Sequence, residues 1–163
     1  MKALLKWLIQ LTKPLVWRIA EAYDLRVDRP RFACGQHPLV IMDDPITARR
    51  LIPRSVYFNT RCGQIVVGKN TVFGEDAKIL TGKHMNIEEA RRNGVELHHV
   101  PEHGRDIVIG SGCYIGSNAI LIGPVEIGDY AVIGAGAVVT KSVPERTFVA
   151  GVPAKVVYSF PDD

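Results

Sequence analysis

Apolar side chains recur at every sixth position through the second half of this chain, a step that neither a helical nor a simple strand period explains. Ile109, Ile115, Leu121, Ile127, Ile133 and Val139 fall six apart without a slip, and glycine follows four of them as Gly110, Gly116, Gly128 and Gly134. Upstream, Val67, Phe73 and Ile79 keep the same step, with Gly68 and Gly74 after the first two. Ile79 and Ile109 are five sixes apart, so both blocks share one phase across the intervening segment.

Two residues before each later marker stands another small or apolar side chain: Ile107, Cys113, Ala119, Val125, Ala131 and Ala137. Strand alternation puts both on one face. The pattern predicts short strands with two inward side chains, a glycine-permitted corner, then another short strand, which is an all-β parallel solenoid. Stacked coils then satisfy each strand's backbone through the coils above and below, and the core is a column. Between the inward positions lie Val108, Tyr114, Ile120, Glu126, Val132 and Val138, which the same alternation points outward. Four of the six are aliphatic, and a lattice of them left in water would make a large apolar strip, so self-association is expected.

Residues 80–106 break the period and carry Lys83, His84, Asn86, Arg91, Arg92, His98, His99, His103 and Arg105. Such a polar excursion on a rigid scaffold is where function is expected. Asn86 to Val95 suits a short helix ended by Gly94. At the N-terminus Leu4, Leu5, Leu8, Leu11, Leu15, Val16 and Ile19 recur at helical spacing opposite Lys2, Lys6, Gln10 and Lys13, an amphipathic helix with a break or kink at Pro14. Residues 24–66, punctuated by Pro30, Pro38, Pro45 and Pro53, read as irregular first coils. The expected organisation is an N-terminal helix over 1–23, a β-helix domain over 24–158 with its loop excursion at 80–106, and a tail over 159–163.

A length of 163 residues fits one domain or one rod, and the 47% hydrophobic content argues against disorder. A net charge of +3 does not announce a nucleic-acid binder. Cys34, Cys62 and Cys113 are odd in number and lack C-x-x-C spacing, so neither a disulfide framework nor a thiolate zinc site is indicated, and a reducing, cytoplasmic compartment is expected. Lys6, Lys13 and Arg18 interrupt the first twenty residues, which therefore read neither as a membrane span nor as a signal peptide. The basic amphipathic helix has two readings: a cap over the solenoid's open end, or a peripheral contact at the inner membrane surface.

The repeats, followed by Gly151-Val152-Pro153-Ala154-Lys155, resemble the hexapeptide-repeat acyltransferases, in particular the galactoside, maltose and surface-polysaccharide O-acetyltransferases. The likeness spans about residues 55–158, and its sharpest pieces are Tyr57-Phe58-Asn59, Leu80-Thr81-Gly82-Lys83-His84, Gly104 to Gly110, and Ile133 to Lys141. The resemblance implies a left-handed β-helix, triangular in section, three hexads per turn, assembled as a homotrimer with active sites between subunits. It implies acetyl-coenzyme A as donor and a sugar or saccharide acceptor entering from the looped side, in surface-polysaccharide synthesis; no metal is expected, because the adjacent His98 and His99 on an extended chain point to opposite faces.

By motif match His84 stands at the position of the catalytic histidine, where it would take the acceptor's proton as that oxygen attacks the thioester; histidine ordinarily titrates near neutrality, which suits the task. Ser117 and Ala135 match positions lining the pantetheine arm, and Thr140, Lys141 and Lys155 match positions near the nucleotide end. Tyr114 replaces a tryptophan common in relatives. Asn59 matches an asparagine that holds the acceptor sugar, and His103 is a further acceptor candidate. Met85 follows the histidine where many surface-polysaccharide relatives carry aspartate, which puts the acceptor's identity in doubt. An amino sugar, serine or a xenobiotic remain open as acceptors. Two other classes stay open, a zinc-dependent hydratase using His98, His99 and His103, and a catalytically silent scaffold. Cys113 falls on an inward slot and reads as core.

Overall fold

The computed structural model describes residues 35–82, 84–96 and 99–161. The N-terminal helix expected over 1–23 lies outside them. Strands β1 (Leu39–Ile41), β3 (Ile65–Val67), β6 (Ile107–Ile109) and β9 (Val125–Ile127) stack into one parallel sheet. Strands β4 (Val72–Phe73), β7 (Tyr114–Ile115), β10 (Val132–Ile133) and β12 (Thr147–Ala150) stack into a second, which β13 (Lys155–Ser159) closes antiparallel to β12. The third holds β2 (Tyr57–Asn59), β5 (Lys78–Leu80), β8 (Ile120–Ile122) and β11 (Val138–Val139). The chain visits the three sheets in rotation, which is the expected solenoid.

Register confirms the lattice. Ile107 pairs with Val125, Tyr114 with Val132 and Ile120 with Val138, each eighteen residues or three hexads apart. Across the excursion Ile65 pairs with Ile107, Val72 with Tyr114 and Lys78 with Ile120, each forty-two apart. Twenty-four extra residues therefore leave one corner and return without shifting the phase. The excursion begins after Leu80 and ends before Ile107, one residue later at its start than the sequence predicts.

All nine markers and all six partners two residues earlier are buried. They form one core cluster with Val56, Phe58, Ile65, Ala77, Val143 and Val149. Among the outward positions, Val108, Tyr114 and Glu126 are exposed while Ile120, Val132 and Val138 are half-buried. The second sheet presents Val72, Tyr114, Val132, Phe148 and Tyr158 as one outward row across its five strands.

The glycine that follows six of the nine markers acts differently from the expectation of a permissive corner. The left-handed backbone falls two residues later, at Asn70, Asp76, Gly112, Asn118, Tyr130 and Gly136. The glycine itself is there because the next coil passes over it: a Cβ at Gly116 would stand 2.5 Å from the Ala135 nitrogen. Steric closeness, and not torsional freedom, selects it.

Where the sequence reads only irregular coils, the first coil carries α1 (Pro45–Leu51) in the place of a second-sheet strand. Asp44 caps it, accepting from the N–H groups of Ile46 and Thr47, with Pro45 in the first turn and Arg49 and Arg50 in the last. Those interactions hold the Asp44 carboxyl below its ordinary pKa, the Thr47 side-chain bond contributing most. The excursion carries α2 (Ile87–Asn93), capped by the Asn86 side chain and ended by Gly94 in the left-handed region, as its sequence predicts.

Candidate active site

The excursion opens at the corner between the third and first sheets, and four successive coils build that corner. Asn59, Thr60 and Arg61 lie below Leu80, Thr81 and Gly82; Ile122 and Gly123 lie above, where the Gly123 N–H donates to the Leu80 carbonyl at 2.9 Å. Thr140 and Lys141 continue the column one coil higher, by the register of Val139 over Leu121.

Thr81 binds this corner together. Its fully buried hydroxyl donates to the Asn59 carbonyl at 2.7 Å and accepts from the Cys62 N–H at 3.1 Å. Gly82 lies against the Asn59 amide, for a Cβ there would stand 3.1 Å from its nitrogen and 3.2 Å from its oxygen. The Asn59 Oδ1 is itself fixed by the Arg61 N–H at 2.9 Å. Exposed His84 follows Gly82 by two residues. The structure thus brings together Asn59 and the segment leading to His84, which are 25 places apart in sequence.

The return limb is held as firmly. Arg105 and Asp106 run between Gly63 below and Gly123 above, where a Cβ would come within 2.6 Å of Asp106 and 2.3 Å of the Arg105 carbonyl, respectively. Asp106 accepts from the Gln64 N–H at 2.9 Å. Arg105 reaches back across the excursion to Glu89 of α2, Nη2 to Oε1 at 2.7 Å, with Arg105 itself largely buried. Met85, next to His84, donates its N–H to the His99 carbonyl at 3.1 Å.

His103 meets His37, their rings edge-on at 5.2 Å, while the His37 Nε2–H donates to the Glu102 carbonyl at 2.8 Å. The Glu102 carboxylate stands 3.9 Å from His103, both exposed. Sequence reasoning singled out neither His37 nor its hold on the excursion; only the close stacking of the segment before β1 under Thr60 reveals it. His98 lies outside the described residues. Among the described residues no three His, Cys, Asp or Glu side chains gather as metal donors.

The remaining candidates sit on two other features. Ser117 and Ala135 share the corner between the second and third sheets, stacked above Gly74 and Gly116. Tyr114 lies exposed on the face of the second sheet. Lys155 begins β13, just after Ala154, whose N–H donates to the Val138 carbonyl at 2.8 Å, so it stands over the top of the third sheet, exposed. Within one chain, therefore, Asn59, His84, Thr140 and Lys141 flank one corner of the third sheet and Ser117 and Ala135 the other. Cys113 lies in the core beside the Gly128 carbonyl at 3.1 Å, and burial pushes its thiol pKa up.

Residues 106–141 match the family model "Bacterial transferase hexapeptide (six repeats)". The chain is 35% identical over 98 residues to a galactoside O-acetyltransferase of Escherichia coli, covering 60% of this chain and 45% of that one. It is 34% identical over 118 residues to a serine acetyltransferase of Haemophilus influenzae, covering 72% and 40%. The chain thus spans under half the length of these curated relatives. A hexapeptide-repeat containing acetyltransferase of Vibrio cholerae, solved alone and complexed with acetyl-coenzyme A, superposes with TM-scores of 0.52 and 0.51 at 22% and 20% identity. Each covers 88% of this chain, and this chain covers 81% and 78% of them. That likeness establishes the fold as the left-handed parallel β-helix.

Proposed function

We propose that this chain is a hexapeptide-repeat transferase and that it moves an acetyl group from acetyl-coenzyme A to a hydroxyl of a sugar or saccharide. The observation that carries the reading is the corner where Thr81 and Gly82 lock Asn59 beside the entry to exposed His84. In this reading the His84 imidazole accepts the acceptor's hydroxyl proton as that oxygen forms a bond to the thioester carbonyl carbon. The carbon–sulfur bond then breaks, and coenzyme A leaves as thiolate and takes the proton. Asn59, its oxygen committed to Arg61, offers its amide nitrogen to an acceptor hydroxyl. We read transfer as direct, since Cys62 and Cys113 are buried thiols and no sequence motif sets a hydroxyl or thiol beside a base.

Donor binding is assigned to Tyr114, Ser117, Ala135, Thr140, Lys141 and Lys155, with the two ammonium groups facing phosphates. Their division between two corners of one sheet supports a groove shared between copies of the chain, as does the outward apolar row of the second sheet, so we assign a homotrimer. Placement in the cytoplasm, with residues 1–20 as cap or peripheral membrane contact, and a role in surface-polysaccharide synthesis, belong to the same proposal. The alignment with the serine acetyltransferase supports a second reading, with serine as acceptor.

His84→Ala is expected to lower turnover by about two orders of magnitude or more while coenzyme A affinity stays nearly intact. Steady-state thioester cleavage and equilibrium dialysis read the two quantities. Unchanged turnover would discard the assigned base.

A further inference from the structure

Beside the Asn59–His84 corner lies an open depression of about 600 Å³, lined by Arg61 on one side and by Gly94, Val95, Glu96, His99 and Val100 of the excursion on the other. It adjoins the proposed base through the backbone, because the His99 carbonyl holds the N–H of Met85. Its charged groups are uncommitted. Glu89 and Arg105 of the same excursion pair with each other, and Asp106 is taken by Gln64. Arg61, Glu96 and His99 make no side-chain hydrogen bond or ion pair among the described residues. Arg61 is exposed, and its own backbone N–H is the group that fixes the Asn59 amide. An arginine that makes no ion pair among the described residues, set two places after the proposed acceptor asparagine and lining a depression, suits a planar or tetrahedral anion through paired N–H donors.

We propose that this depression is the acceptor subsite and that Arg61 selects a saccharide bearing an anionic substituent, a carboxylate or a phosphate, on the ring next to the hydroxyl acetylated. The inference rests on the acetyltransferase reading above and names its substrate class. A volume of about 600 Å³ lies within the range of sites that enclose ligands of drug-like size and is generous for a free amino acid, which favours a saccharide over serine. Val95 and Val100 offer an apolar floor for the C–H face of a sugar ring. Glu96, in the same lining, accepts hydrogen bonds from hydroxyls of the acceptor.

The test uses the full chain with three acceptors of one size: cellobiose, cellobiuronic acid and cellobiose 6'-phosphate. Thioester cleavage gives KM and kcat for each, for the native protein, Arg61→Gln and Arg61→Lys. The native protein is expected to show a KM for at least one anionic acceptor about tenfold or more below that for cellobiose. Arg61→Gln is expected to bring the ratio near one, and Arg61→Lys to keep part of it. Preference for the uronic acid identifies a carboxylate, and preference for the phosphate identifies the phosphoryl group. Equal use of all three by the native protein overturns the inference while leaving the acetyltransferase reading intact, and so does a preference that survives Arg61→Gln. Absence of acetyl transfer to every saccharide, with serine accepted, overturns the inference and the saccharide acceptor together and leaves acetyl transfer to serine.

Discussion

The Thr81 hydroxyl is the most informative group to remove, because one buried oxygen serves both the stability of the stack and the shape of the corner. Thr81→Val keeps the side chain's volume and deletes two hydrogen bonds, the 2.7 Å donation to the Asn59 carbonyl and the 3.1 Å acceptance from the Cys62 N–H. The Asn59 carbonyl keeps its bond from the Thr81 backbone N–H at 3.1 Å, so only the Cys62 N–H, in a residue with no exposed surface, is left without a partner. An orphaned buried donor costs about 1–3 kcal/mol. At about 2 kcal/mol, a chain of this size should lose about 4–8 °C in Tm, read by circular dichroism at one fixed protein concentration because assembly adds to apparent stability. Thr71 provides the matched control: its buried hydroxyl donates to Gly110 at 2.7 Å and accepts from the Cys113 N–H at 3.2 Å, on another corner of the triangle. Thr71→Val should show a similar fall in Tm and near-native turnover, whereas Thr81→Val should also lose turnover, because it loosens Asn59 and Gly82. A Thr81→Val protein within about 0.5 kcal/mol of native stability would refute the ledger of bonds, and equal loss of turnover in the two variants would refute the corner as the site.

Lys155→Ala should raise the KM for acetyl-coenzyme A at low ionic strength, with the difference shrinking as salt is added; a KM indistinguishable from native at low salt removes Lys155 from the donor site. Because burial raises the Cys113 pKa in the folded state, its contribution to stability is complete below the unfolded value of about 8.5 and is lost as pH rises through it toward the folded value. Urea midpoints at pH 7.5 and 9.5 should therefore fall more steeply for the native protein than for Cys113→Ala, and parallel slopes would assign the alkaline loss elsewhere.

The sequence specified the column of the fold almost residue by residue, since a hexad puts two side chains of every six into the core and the alternation decides which two. Every marker from Val67 to Val139 is buried for that reason. What it misread is equally physical. A glycine after a marker looks like a turn residue, yet Gly116 is selected by the backbone of the coil above at Ala135, an influence nineteen residues away that no local pattern displays. In the first coil, the run from Asp44 to Leu51 carries a cap, a proline at the first turn and basic residues at the last, which were signals of α1 hidden by reading each proline as a break. His84 and Asn59 are site candidates only through motif resemblance; the contact of Asn59 with Thr81 and Gly82, which lead toward His84, depends on register between coils. Arg61 was not singled out because no motif marks it, although it follows Asn59 by two residues; its place under the start of the excursion follows once β2 is laid beneath β5.

The separation of lattice from excursion explains how such a chain tolerates chemistry at one corner. Twenty-four residues enter between β5 and β6, and because the rise between coils is only about 4.8 Å, the ends of the insertion must meet almost where a direct connection would. The Gly63 and Gly123 surfaces close over Arg105 and Asp106, and the Thr81 hydroxyl fixes the outgoing limb, so both limbs are set by the stack and not by the loop between them. Loop-closure entropy grows only with the logarithm of length, so the inserted residues can change in number and character at small cost to the column. The donor candidates Ser117, Ala135, Thr140 and Lys141 all stand on lattice corners, whereas five of the six residues lining the depression belong to the insertion. On the function proposed above, that division leaves the donor candidates to the coils and the acceptor subsite to the described part of the excursion together with Arg61.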